Sequence, residues 1–356
     1  MYQKKIITFY TKYSTRSASV RERIVPYAKF LQKKKYKVEI KPLINNDLFY
    51  QRVILGNSCY FSLLISCLKR ILDVILQEKN IVVIQHELIP FFPPLLERFL
   101  FFKKIPYIID IDDAVFHNYD KSSSFFTKFF LKNKFRSIFT NSALVFSGNK
   151  YLEKKVKLLG AKKIFLLPTT VSNSNKKFIK NKKFTIVWIG SPSTTKYLDD
   201  IEPEITRIAS NHHINFVFIG CSKYTIIKPN KNIKFVDWSL NNQSKLIGQC
   251  HVGIMPLRKT YWELGKCGYK MLLYMKYGLP VLCSPIGVNK NIVEHGKNGF
   301  FINNTEEWPK YLIKLKNNNK LANKLGRCGK NKILKKYTTN SYQEDYFKQI
   351  EKIKIL

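Results

Sequence analysis

The sequence predicts an α/β protein built from two doubly wound parallel-sheet domains. Three observations predict it. Short apolar runs alternate with longer amphipathic segments along most of the chain, the alternation comes in two series separated by a polar stretch, and 356 residues are enough for two domains of ordinary size. Hydrophobic residues make up 45% of the chain, which supports a sizeable core and argues against global disorder.

The first series places strands at 6–9, 38–41, 81–84, 107–110, 144–147 and 164–167, with helices between them at 20–32 and 61–76. The pattern dissolves into VSNSNKKFIKNKK (171–183), which reads as a linker. The second series places strands at 185–189, 215–219, 233–236, 252–255, 280–283 and 299–302. The expected division is a first domain over 1–172, a second over 173–338, and a last helical segment in 339–356. Such alternation implies right-handed crossovers and a cleft between two domains. Ligands of open α/β sheets bind beyond the carboxyl ends of the strands, so the residues of interest should lie just after strands.

Composition narrows the class. Lys and Arg total 62 against 24 Asp and Glu, a net charge of +38. A nucleic-acid partner, an anionic membrane or phosphate-rich substrate, and codon bias all fit that excess, and no recognisable nucleic-acid module is present. The seven cysteines are scattered with no C-x-x-C pair, so zinc and disulfide frameworks lack support and a reducing, cytoplasmic compartment fits. The apolar run in MYQKKIITFY is too short for a signal peptide. YFSLLISCLKRILDVIL (60–76) is interrupted by Lys69, Arg70 and Asp73 and falls short of the roughly twenty apolar residues of a membrane span, so it reads as a buried amphipathic helix. No dinucleotide fingerprint or P-loop is present, which disfavours dehydrogenases and kinases.

Several strand-end motifs carry chemistry. In WIGSPSTTKYL (188–198), Gly190 permits close backbone approach, and Ser193 or Thr194 can cap a helix starting near Thr194 whose free N–H groups suit a phosphate, with Lys196 beside it. In GIMPLRKTYWELGKCGYKMLLYMKYGLPVLCSP (253–285), Lys266 and Lys270 are four apart on a helix expected from about Cys267. Sharing one face near a helix start costs both lysines energy unless an anion such as pyrophosphate lies between them. QHELIP (85–90) sends His86 and Glu87 toward the cleft as a base or acceptor contact. YIIDIDDAVF (107–116) sets Asp110 and Asp112 two apart on one side of a strand end and Asp113 on the other; they are functional or pair with Arg21 or Arg23. Arg16, Arg21 and Arg23 in STRSASVRER (14–23) stand where a phosphate-bearing ligand would lie.

With these residues in view, the second half resembles the retaining nucleotide-sugar glycosyltransferases of family 4, which have the GT-B fold: two Rossmann-like doubly wound parallel-sheet domains facing across a cleft. The matching stretches are WIGSPST (188–194), GIMPL (253–257), GKCGYKMLLYMKYGLPVLCSPIGVN (265–289) and IVEHGKNGFF (292–301). The first half is similar to a bacterial subgroup through QHELIPFFPP (85–94), DIDDAVF (110–116), SGNKYL (147–152) and LPTTV (167–171).

The resemblance implies a donor set of Gly190, Ser191, Ser193, Thr194, Lys196, Pro256, Leu257, Gly265, Lys266, Gly268, Tyr269 and Lys270. It implies an acceptor set of Arg21, Arg23, Gln85, Asp113 and Asn149, and catalytic candidates Asp112, Asp110, His86 and Glu87. Asp112 leads because a histidine stands there in many members. The family's Arg–Lys pair maps onto Ser191 and Lys196, and its two glutamates onto Gly265 and Leu273, so both carboxylates are absent; His251, where an Asp is common, is expected to be structural. The implied activity is transfer of a sugar, with retention, from a nucleotide sugar to a glycan or lipid-linked acceptor in cell-surface polysaccharide or lipopolysaccharide synthesis, with no cofactor and no metal. Positive groups then stabilise the leaving diphosphate.

FFPPLLERFLFFKK (91–104) and KSSSFFTKFFLKNKFRSIF (121–139) combine aromatics with Lys and Arg, and suit either an anionic membrane surface or helices with Phe inward. Peripheral attachment to the inner face of the cell membrane is the corresponding location. Alternatives in other classes are a metal-dependent GT-A enzyme using Asp110 and Asp112 as D-x-D, and a non-catalytic sugar-nucleotide or polyanion-binding protein.

Overall fold

The computed structural model describes residues 5–174 and 176–355. Residues 1–4, which begin the segment read as lacking a leader, and Asn175, within the expected linker, lie outside the described residues. The chain forms two compact units. The first comprises Met1–Thr169, Leu264–Cys267 and Thr339–Leu356, and the second Thr170–Glu263 and Gly268–Thr338.

The first unit runs β1 (Ile6–Tyr13), a π-helical turn (Val20–Ile24), α1 (Val25–Lys33), β2 (Lys37–Ile44), α2 (Tyr60–Ile75), β3 (Ile81–Gln85), α3 (Leu95–Phe102), β4 (Tyr107–Ile111), α4 (Phe125–Leu131), α5 (Lys134–Asn141), β5 (Leu144–Ser147), α6 (Lys150–Leu158) and β6 (Ile164–Leu166). The second runs β7 (Thr185–Ile189), α7 (Glu202–Asn211), β8 (Asn215–Ile219), β9 (Ile233–Val236), α8 (Leu240–Gly248), β10 (Val252–Met255), α9 (Tyr269–Lys276), β11 (Val281–Cys283), β12 (Gly299–Phe301), α10 (Glu307–Asn317) and α11 (Asn319–Lys336). α12 (Gln343–Glu351) returns to the first unit. There Tyr346 stacks between Tyr27 and Phe146, with ring centroids 4.4 and 4.6 Å away, and Ile350 is fully buried.

Both sheets have six strands, ordered β2-β1-β3-β4-β5-β6 and β12-β11-β10-β7-β8-β9, and their strand pairings are parallel. The two doubly wound sheets expected from the alternation are therefore present. β3, β4 and β7 are buried along their whole length, as strands covered on both faces by helices must be. In the second unit, one core joins Ile186, Trp188, Phe216 and Phe218 to α7 and α10, and another joins Val187, Ile189 and Val281 to α9.

Four local expectations need correction. The helix read over 20–32 starts as a π turn, in which Val25 N–H reaches Val20 O; Pro26, which has no N–H to give, follows at the start of α1. The helix after β7 starts near Thr194 but is not continuous: a 3-10 turn at Pro192–Thr194 and a four-residue α-helix at Lys196–Asp199 come first, and α7 follows as a separate helix. The stretch read as a linker packs on the second unit, with Lys180 Nζ donating to Gly248 O and Cys250 O at 3.0 and 2.5 Å.

The fourth concerns α2, which is amphipathic but inverted. Most of its large apolar side chains face outward, Leu63 and Cys67 pack half-buried on Leu43, Ile44, Leu48 and Phe49, and Arg70 and Val74 are the buried residues. The Arg70 guanidinium donates to the carbonyls of Leu88, Thr11 and Lys41 at 2.8–3.0 Å. Burial lowers its pKa to about 10. Three carbonyl acceptors make a buried cation tolerable where the apolar pattern alone would have turned it outward.

Candidate functional site

In the first unit, three neighbouring strands deliver the candidate residues to one edge of the sheet: His86 follows β3, Asp112 and Asp113 follow β4, and Asn149 follows β5. His86 Nε2 and Asp112 Oδ1 lie 2.6 Å apart, with side chains about one-tenth exposed. The His86 backbone is left-handed (φ 64°), a strained conformation for a non-glycine residue and one that clusters at functional sites. Burial disfavours the charged imidazole, but the bond to Asp112 and that residue's charge outweigh it, so the His86 pKa is raised. For Asp112, burial is outweighed by His86, Arg23 and Lys266, and its pKa is lowered. Lys266 Nζ stands 3.6 Å from Asp113, whose pKa burial raises while Lys266 pulls it down.

Several candidates are spent elsewhere. Asp110 does not join Asp112: Arg23 Nε donates to both of its oxygens at 2.9 Å, and Arg23 Nη1 donates to Leu167 O. Although burial opposes the charge on Arg23, Asp110 holds its pKa above the ordinary value. That buried ion pair engages Asp110 with Arg23 within the first unit, apart from the His86–Asp112 contact. The two-residue spacing misled because β4 ends at Ile111, so Asp112 leaves the strand's alternation. Asp110 and Asp112 therefore form no D-x-D pair.

Glu87 is bound by Lys134 and by Tyr119 O–H, the latter at 2.6 Å, and is a buried structural charge. Gln85 is buried and accepts from Lys12 N at 3.2 Å. Arg21 bonds Glu22 and the carbonyl of Arg16.

Asn149, expected among the acceptor contacts, is likewise engaged within the protein. Its Oδ1 caps α6 by accepting from Leu152 N at 2.9 Å, while Nδ2 donates to the carbonyls of Leu264, Gly265 and Lys266 at 2.9–3.3 Å. It thereby bolts Leu264–Cys267 into the first unit. The helix expected from about Cys267 is present but starts two residues later. α9 starts at Tyr269, after Gly268 in the left-handed region (φ 71°), a conformation glycine adopts readily. Lys266 and Lys270 therefore share no helical face. Lys266 belongs with Asp113, and Gly265 with Asn149.

In the second unit, Lys270 Nζ lies 4.2 Å above the Trp188 ring and donates to Thr194 Oγ1 at 3.2 Å. Thr194 Oγ1 also accepts from Ser191 N at 3.1 Å. Gly190 is required beneath: a Cβ there would come within 2.2 Å of the Trp188 ring and 2.6 Å of Thr194 Oγ1. Ser193 and Lys196 are exposed on the same turn. Pro256 and Leu257 follow β10, where Leu257 N donates to Ser284 Oγ at the end of β11. Tyr269 opens α9, in which residues 271–275 are all buried, among them Leu273 at one of the two positions where a glutamate was missing.

Sequence reasoning missed Trp188 and Ser284. A large aromatic next to the end of a buried strand was the available signal for the first; nothing local marks the second. His251 is structural as expected: its Nδ1 accepts from Thr185 N, and burial lowers its pKa to about 4.

Residues 183–318 match the glycosyl transferases group 1 family. The match covers most of the second unit, including Trp188, Thr194 and Lys270. No curated protein matches the chain in sequence. HepE from Anabaena, solved with UDP-glucose, is 10% identical with a TM-score of 0.69 over 98% of this chain and 100% of that one. The fold is GT-B. A glycosyltransferase from Rickettsia africae ESF-5 is 14% identical (TM-score 0.63) over 99% and 100% of the two chains. A mutant of TarM from S. aureus, solved with fondaparinux, alpha-GlcNAc-glycerol and UDP, is 15% identical (TM-score 0.62) over 81% of this chain; the chain spans only 59% of TarM.

Proposed function

We propose that this protein transfers a sugar, with retention, from a nucleotide-sugar donor held by the second unit to a glycan or lipid-linked acceptor in cell-surface polysaccharide or lipopolysaccharide synthesis on the cytoplasmic side. The carrying observation is Lys270, seated over Trp188 and bonded to Thr194 beside the end of β7, within the segment that matches the glycosyl transferases. UDP in the Anabaena and S. aureus structures supports a uridine nucleotide.

In the reaction, the acceptor oxygen bonds to the anomeric carbon as the bond from that carbon to the phosphate oxygen breaks. The bonding electrons leave with the diphosphate, which takes the acceptor proton on the same face. Lys270 stabilises the charge that develops there, the work a metal does in other transferases, so no metal is required. His86, held by Asp112, is the acceptor-side candidate of the first unit.

The test is sugar-nucleotide turnover by Lys270→Ala. Loss of a charge-assisted contact worth about 1.5–3 kcal/mol predicts a loss of about 13- to 160-fold. Unchanged turnover refutes the diphosphate role. Activity should survive EDTA, and NMR of the first-formed product should show the donor's anomeric configuration.

A further inference from the structure

We infer that the first unit docks on an anionic lipid surface through an outward-facing apolar row formed by α2, α3 and α4. α2 supplies the least expected part. Phe61, Leu64, Leu68 and Leu72 recur at helical spacing on one side and are 52–75% exposed, while Arg70 and Val74 hold the opposite side to the core. The stripe from Phe61 to Leu76 is roughly 22 Å long at 1.5 Å per residue. α3 packs beside α2 and adds Phe102, 77% exposed. α5 packs beside α3, and α4 leads into it. On α4, Phe125, Phe126, Phe129 and Phe130 lie on one side and are 63–73% exposed. The Phe-inward alternative for 121–139 therefore holds for α5, where Phe135 and Phe139 are buried, and fails for α4.

Charge selects the occupant. The exposed charged residues of these helices are cations: Lys69 on α2, Arg98 on α3, Lys128 on α4, Arg136 on α5. Lys79, Lys103, Lys104 and Lys132 extend the set beyond the helix ends, against the exposed Glu78 past α2. The acids on the same helices are withdrawn: Glu97 is buried against Leu88 N, and Asp73 pairs with Lys41. α4 and α5 carry none. Aromatic side chains ringed by lysine and arginine suit the boundary between anionic headgroups and acyl chains. A second copy would meet the row with the same cations on a chain of net charge +38, which opposes self-association. No helix among the described residues is long and apolar enough to cross a membrane, so this surface lies on the bilayer.

The inference stands apart from the donor assignment and is tested without it. The full chain is floated with vesicles of phosphatidylcholine, alone or mixed with phosphatidylglycerol, at low and high salt. Binding is expected on the mixed vesicles at low salt. Phe126→Ser with Phe130→Ser, and separately Leu68→Ser with Leu72→Ser, should each weaken it by about tenfold or more, because each removes apolar area from the buried face. These side chains lie outside the core and the candidate site, so turnover in solution should not change. Absence of binding at low salt overturns the inference. So does binding that both double variants retain, which would show adsorption by charge alone, or a wild-type dimer that the same substitutions dissociate.

Discussion

Lys134→Met separates a structural from a catalytic role for Glu87. The Glu87–Lys134 pair has side chains only 7% and 1% exposed. Lys134 also donates to Ile89 O at 2.8 Å, and Tyr119 O–H holds Glu87 at 2.6 Å. Deleting the ammonium leaves a buried carboxylate with a single hydroxyl donor, and breaking a buried pair from one side costs about 3–5 kcal/mol. Adding Glu87→Gln removes the orphan charge while keeping the shape and the Tyr119 contact. The double variant should therefore regain most of the loss, ending within about 1–2 kcal/mol of wild type. Urea unfolding followed by near-ultraviolet circular dichroism gives the four corners of the cycle. A cost under about 1 kcal/mol for Lys134→Met, or a double variant no better than the single, refutes the argument. Glu87→Gln that loses turnover while keeping its stability would restore Glu87 to the catalytic set.

Asp112→Asn should open a pH-dependent stability gap. His86 has a raised pKa, so its contribution is complete below the unfolded value of about 6.5 and is lost as pH rises through the folded one. Asp112 has a lowered pKa, and its contribution is lost as pH falls through that value. The gap should be widest between the two limits and close on either side; urea melts across pH measure it, and a gap independent of pH refutes the pairing. Gly190→Ala should destabilise the second unit by about 1–3 kcal/mol through overpacking against Trp188 and weaken UDP binding by calorimetry; wild-type behaviour in both would show that the turn has room.

The strands were legible because each is a short run of β-branched and aromatic residues bounded by breakers. β7, β8, β9 and β10 begin and end where the sequence placed them. The address of the site was legible as well, since in parallel sheets candidates follow strand ends. Pairings across long sequence separations were legible only in part: Arg23 was named as a partner for the aspartates of 107–116, but not that Asp110 alone takes it, and nothing in the sequence placed Lys134 against Glu87. The facing of α2 was lost for a related reason. The apolar period identified a stripe correctly, but the carbonyls of Thr11, Lys41 and Leu88, which draw Arg70 inward, belong to other segments. Gly268, seen as part of a motif, was not seen to separate Lys266 from Lys270 by its left-handed backbone.

The indole beneath Lys270 makes one half of the molecule optically distinct. The chain has four tryptophans, Trp188, Trp238, Trp262 and Trp308, and all four lie in the second unit. Tryptophan emission, excited at the red edge where tyrosine does not absorb, therefore reports on the second unit. A ligand that draws the ammonium away from the Trp188 ring changes the local field on one emitter in four. Titration by fluorescence thus needs no label, and events confined to the first unit, docking on vesicles among them, leave that signal silent.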